Sequence, residues 1–191
     1  MKKRLLLFSI LAVCLSLCIG GTLAYYTAYG IERNVITAGN IKIELIETDA
    51  EGNPFEDATD VMPGAVIEKE VSVKNSGDNP CWVRLAVEKK IELAEGVEGE
   101  PDLSLIGIDF NTTDYTESEA DGYYYYNVQL TPGESTEKLF TTVTFDEKAM
   151  DNMYKGCKVT VTVTAQAAQV ANNGENVTDA LGWPEISGEE R

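Results

Sequence analysis

The chain has 191 residues, 32 acidic against 15 basic side chains, a formal charge of −17 and no histidine. An acidic surface of this strength repels nucleic acid and anionic lipid, so a nucleic-acid partner is not expected. The missing histidine removes the usual zinc ligand and the usual base of serine and cysteine hydrolases, and no HExxH, GxSxG, P-loop or GxGxxG pattern is present.

Taken in order, the chain opens on a basic Met1-Lys2-Lys3-Arg4, an apolar run at 5–19, Gly20-Gly21, and small residues at Thr22 and Ala24. This is the pattern of an export signal over residues 1–24, cut between Ala24 and Tyr25. The apolar run is short of the roughly 20 residues a membrane span needs, so membrane contact is expected only through the uncleaved signal. Cys14 and Cys18 follow Val13 and Leu17, where a lipoprotein signal would place a small residue, and lipidation is not expected. Loss of Lys2, Lys3 and Arg4 leaves twelve basic side chains against 32 acidic ones, a formal −20. The remaining length suits one domain that buries roughly 70% of its unfolded surface.

Residues 25–37 carry three tyrosines and Gly30 without a clean period, and read as an extended arm. The domain proper is expected over 38–184, followed by an acidic tail at 185–191. Residues 40–48 alternate as a first strand. The acidic loop 49–60 has oxygens that could hold calcium, but Gly52 is out of EF-hand register, and a solvated loop is the better reading. Residues 61–93 read as the organising unit. A Pro63-Gly64 turn leads into a strand with Ile67, Val71 and Val73 on one face. The turn-forming run 75–80 follows, and then a second strand from Cys81 to Leu93. We expect a long β-hairpin there. Further strands are expected at 103–110, at 122–130 with the four tyrosines 123–126, around Leu139 to Phe145, and from Cys157 to Ala167. Short helical turns are expected at 146–154 and 176–183. Residues 111–121 read as a polar excursion. Pro132-Gly133 repeats the earlier turn chemistry.

The strand count and turn spacing give an all-β chain: an antiparallel β-sandwich, jelly-roll or Ig-like, with one or two short helices. Cys81 and Cys157, at inward-pointing positions, could be joined as a disulfide outside the cell or stay as two buried thiols. Tyr123 and Tyr125 share the strand face opposite Tyr124 and Tyr126, which makes them a candidate partner surface, although amphipathic rings also pack for stability alone.

The segment CIGGTLAYYTAYGIERNVITAGNIKIELIE resembles the N-terminus of the TasA/camelysin family, exported bacterial proteins cut by a SipW-type signal peptidase. The matching features are Gly20-Gly21-Thr22-x-Ala24, the aromatic Tyr25 after the cut, and Ala38-Gly39-Asn40 before Ile41, Ile43 and Leu45. Weaker likenesses extend through KNSGDNPCWVRLAVEK, YYYYNVQLTPGESTEKLFTTVTF and VTVTAQAAQVANN. The resemblance implies a secreted structural protein of the extracellular matrix or cell surface. It also implies fibre assembly by donor-strand exchange, in which the arm exposed by cleavage enters the next subunit. Tyr25, Tyr26, Ile31 and Val35 are then the candidate anchors, and the chain is its own partner in a homopolymer. A monomeric binding or adhesion module is the alternative. A camelysin-like metallopeptidase is disfavoured because no His ligand exists; no catalytic residue and no cofactor is assigned.

Overall fold

The computed structural model describes residues 34–37, 41–56, 63–150 and 152–184. Their strands are β1 (Asn34–Thr37), β2 (Ile43–Thr48), β3 (Val66–Asn75), β4 (Cys81–Glu92), β5 (Ile106–Ile108), β6 (Tyr115–Glu117), β7 (Tyr124–Tyr126), β8 (Phe140–Phe145) and β9 (Lys158–Gln169). They form a five-stranded sheet, β1-β9-β4-β7-β6, and a four-stranded sheet, β2-β3-β8-β5. Every pairing is antiparallel except that of β1, which lies parallel to β9 with Val35 beside Ala165.

Period-two alternation explains the packing. Along β9, Val163, Ala165 and Ala167 are buried, and along β4 so are Val83, Leu85 and Ile91. From the other sheet come Ile43, Leu45, Val71, Val73, Phe140, Val143 and Phe145. Side chains of an aligned pair of sheets interdigitate in this way to fill a layer about 10 Å thick. The longest ladder runs over twelve residue pairs, from Cys81 beside Gln169 to Glu92 beside Lys158.

The expected hairpin of residues 61–93 is corrected. Its two strands exist, but β3 belongs to the four-stranded sheet and β4 to the five-stranded one. Each has a largely apolar face, and the two faces meet across the core rather than the two edges across a ladder. The chain between them is therefore an arch. Asn75, completely buried, holds it: its side-chain Nδ2 donates to the carbonyls of Asn79 and Leu130, and its Oδ1 accepts from the Gly77 amide.

Both Pro-Gly turns place glycine in the left-handed region, Gly64 at φ 81° and Gly133 at φ 85°, as a type II turn requires. The strand expected at 103–110 is shorter: Leu103–Leu105 is a 3-10 turn, capped by the Asp102 carboxylate accepting from the Ser104 amide, and only β5 is extended. The excursion at 111–121 contains β6, which pairs with the tyrosine strand. That strand, expected over 122–130, is three residues long, and Val128 is exposed. The helical expectations reduce to single 3-10 turns, Asn152–Tyr154 and Val177–Asp179.

Candidate functional site

A sandwich exposes its backbone only along the outer edges of its sheets, and here the two flanks differ. On one flank, residues 109–114 cross from β5 to β6. The Asn111 amide donates to the Leu139 carbonyl, and Phe110 stacks on Tyr124 with centroids 4.3 Å apart. Tyr115, 2% exposed, donates its hydroxyl proton toward Thr136 Oγ1 (2.8 Å) and the Glu137 carbonyl (2.7 Å). Burial drives the Tyr115 hydroxyl pKa well up, so it remains a donor.

On the other flank, β1 and β2 stand together as the edges of their sheets. The direction of the β2 backbone follows from its neighbours. Val73 exchanges bonds with Thr136, and the amide of Asn75 goes to Glu134, so both residues face away from β2. Their partners in register, Leu45 and Ile43, therefore point their own amides and carbonyls to the outer edge. No bond among the described residues takes these groups. A groove of about 370 Å³ runs along this edge, lined by Val35, the whole of β2, Gly52 and Pro54.

The edge ends abruptly. The loop after β2 turns back on itself: the Phe55 amide donates to the Glu47 carbonyl (3.0 Å), the Asp49 amide to the Asn53 carbonyl (2.9 Å), and Thr48 bridges to Pro54. The Asp49 carboxylate accepts from the Asn53 side chain and from the amides of Asn53 and Glu51, which holds its pKa below the ordinary value. Inside, Glu47 and Lys69 form an ion pair at 2.9 Å with side chains 2% and 6% exposed. The Lys69 ammonium lies 4.7 Å from the centre of the Phe55 ring. Glu47 Oε2 has no hydrogen-bond partner among the described residues. The expectations from sequence miss this pair, yet its signal is present. Glu47 and Lys69 occupy inward positions of otherwise apolar alternations, 43-45-47 and 67-69-71-73, and two opposite charges on adjacent strands can meet there.

The tyrosine pair sits on the outer face of the five-stranded sheet, in contact with its own chain. Tyr125 is 7% exposed beneath Trp183, ring centres 5.7 Å apart, and Tyr123 is half-buried. Between the aromatics lies the Arg84 guanidinium, 3.9 Å from the centre of Tyr123 and 4.6 Å from that of Trp183. Arg84 donates to Gln166 Oε1 and to the Tyr125 hydroxyl, which donates in turn to Asp121. Burial raises the Asp121 pKa, but the bonds from Tyr125, Ser118 and the Tyr123 amide and the Arg84 charge outweigh it, and the net shift is downward. The segment past β9 covers Trp82 and Tyr125 with Val177 and Ala180. Asn173 pins it, donating to the carbonyls of Gln169 and Leu181 and accepting from the Leu181 amide.

The remaining expectations are placed as follows. Ala24, Tyr25, Tyr26 and Ile31 lie outside the described residues. Val35 is in β1, paired within its own chain. Of the two alternatives for the cysteines, the structure has free thiols: Cys81, buried, and Cys157, half-buried, stand near opposite ends of the β4–β9 ladder. At about 3.4 Å per residue, that ladder separates them by tens of ångströms, whereas a disulfide needs Cα atoms within about 7 Å. Burial pushes the Cys81 thiol up to about 11. Among the described residues no three His, Cys, Asp or Glu gather as a metal site, and no helix is long and apolar enough to cross a membrane.

The family model described as camelysin metallo-endopeptidase matches residues 1–100. No curated protein matches the chain.

Proposed function

This chain belongs to the camelysin metallo-endopeptidase family, and we propose that it is an exported structural protein of the bacterial matrix or cell surface, assembling by β-strand addition through the arm freed when the signal is cut after Ala24. The observation that carries this reading is the open edge of β2. Ile43 and Leu45 present backbone groups that no described residue bonds, at the flank where β1 stands. An extended segment of a second copy satisfies such groups with main-chain bonds. A head-to-tail contact that does not close on itself propagates as a filament.

The family description names a metallo-endopeptidase. The donor set does not fit one: the chain has no histidine, and the described carboxylates and thiols do not converge. No hydrolytic step through a metal follows from these residues.

The test compares two purified chains by size exclusion and electron microscopy. One begins at Tyr25; the other begins at Asn34, which keeps β1 whole. Filaments from the first and monomers from the second are expected. Monomers from both chains would sink the assembly reading, and filaments from both would remove the arm from it.

A further inference from the structure

The loop 49–56 does more than return the chain toward β3. We infer that it is a register stop, ending the open edge of β2 at Glu47 so that an added strand pairs with Ile43 and Leu45 and no further. The occupant of the edge is the 25–33 arm of a second copy, so this inference rests on the assembly reading for its partner; the stop itself is built into one chain.

Three features make the stop. First, two outward-facing groups beyond Leu45 are already in use, the Glu47 carbonyl by the Phe55 amide and the Asp49 amide by the Asn53 carbonyl. Second, the residue the loop lays beside Thr48 is Pro54, which has no N–H, so the returning backbone gives a newcomer little to pair with. Third, the loop is anchored from inside. Phe55 packs over the Lys69 ammonium, and Lys69 is bound to Glu47, the residue whose carbonyl Phe55 occupies. The ion pair thus fixes the strand and its blocker together. A short edge with one fixed end removes the choice of register that a long, regular edge leaves open, and a polymer built on it repeats with one geometry. The groove is also lined by Gly52 and Pro54 from this loop, so the stop forms one end of the same surface.

The experiment is residue-resolved amide exchange on the mature chain, wild type and Phe55→Ala, alone and with excess synthetic peptide of residues 25–35. Alone, the Phe55 amide should exchange slowly in the wild type and at least tenfold faster in the variant. With peptide, protection should appear at Ile43 and Leu45 in the wild type and extend to Glu47 in the variant. Protection reaching Glu47 in the wild type, an unchanged pattern in the variant once its loop has opened, or no protection anywhere on β2 would each overturn the stop. Because the peptide is supplied in trans, a chain that forms no filaments sinks the assembly reading while the exchange pattern still decides for or against the stop. Lys69→Arg, which keeps the charge, serves as a second variant if Phe55→Ala does not fold; it should retain the wild-type pattern, and extension to Glu47 there would count against the anchor.

Discussion

On one flank of the sandwich the chain crosses between sheets and Tyr115 ties the crossing to Thr136 and Glu137; on the other, β1 and β2 lie side by side, and among the described residues nothing bonds the outward groups of Ile43 and Leu45. Both flanks face the same requirement, that backbone donors and acceptors find partners or water. The crossing flank meets part of it with its own loop, through the Asn111 amide on the Leu139 carbonyl. The open flank meets it for the Glu47 carbonyl and the Asp49 amide through a folded-back loop, and no described residue bonds the outward groups of Ile43 and Leu45. Where a fold could close an edge and closes only part of it, the remaining opening is a candidate for use.

The largest expected effect tests how firmly the open flank is anchored. Lys69→Met strands the Glu47 carboxylate in a nearly dry site and should cost about 3–5 kcal/mol in denaturant unfolding. The double change Lys69→Met with Glu47→Leu should recover most of it, because no charge is then left buried. A loss under about 1 kcal/mol for the single variant, the range of an exposed pair, would mean that water reaches the pair.

The crossing flank should lose less. Tyr115→Phe deletes one hydroxyl serving two acceptors, and about 1–3 kcal/mol is expected from the same measurement. Assembly on the open edge should be unaffected, which separates the two flanks by function as well as by stability.

Acid sharpens the contrast from the outer face. Asp121 lies in the turn between β6 and β7, and folding lowers its pKa below 3.8. Its contribution is therefore complete above the ordinary carboxylate value and is lost as pH falls below it, through the folded-state value. Asp121→Asn should lower the neutral stability and flatten the profile below about pH 4, so that variant and wild type converge in acid. An identical acid limb in wild type and variant would remove Asp121 from the account.

The smallest effect is one of reactivity. In the native mature chain Cys157, half-buried, should react with an aromatic disulfide reagent at about pH 8, while Cys81, fully buried with its thiol raised to about 11, should react only on unfolding. Two native equivalents released together would place Cys81 nearer solvent than the ladder allows.

How much of this the residues announce depends on how long a pattern runs. The twelve-residue β9 is plain in its Val-Thr alternation, and β2, β3, β4 and β8 follow from theirs. Three-residue strands such as β5, β6 and β7 carry too few residues for a period to register, and are fixed by contacts far along the chain. The arch at 75–80 shows the limit of local reading: turn-forming residues say that the chain reverses, but not whether the next strand joins the same sheet. That is decided by which faces must be buried together. The open edge is less legible still, because an unpaired backbone group has no residue type of its own. The Glu47–Lys69 pair was readable as two charges in apolar register. What it holds in place, Phe55 on the Glu47 carbonyl, required the fold.

The β4–β9 ladder has a consequence for the order in which the molecule can be made. It joins residues 81–92 to residues 158–169, so its contacts are among the most distant in the sequence, and loops of that length close slowly. A chain emerging N-terminus first, from a ribosome or through a pore, cannot begin this ladder until Lys158 is free. Before then β1 has no strand to pair with and β4 has only β7 beside it. The pairing that waits longest is also the longest ladder, so the five-stranded sheet is completed only when the end of the chain is released.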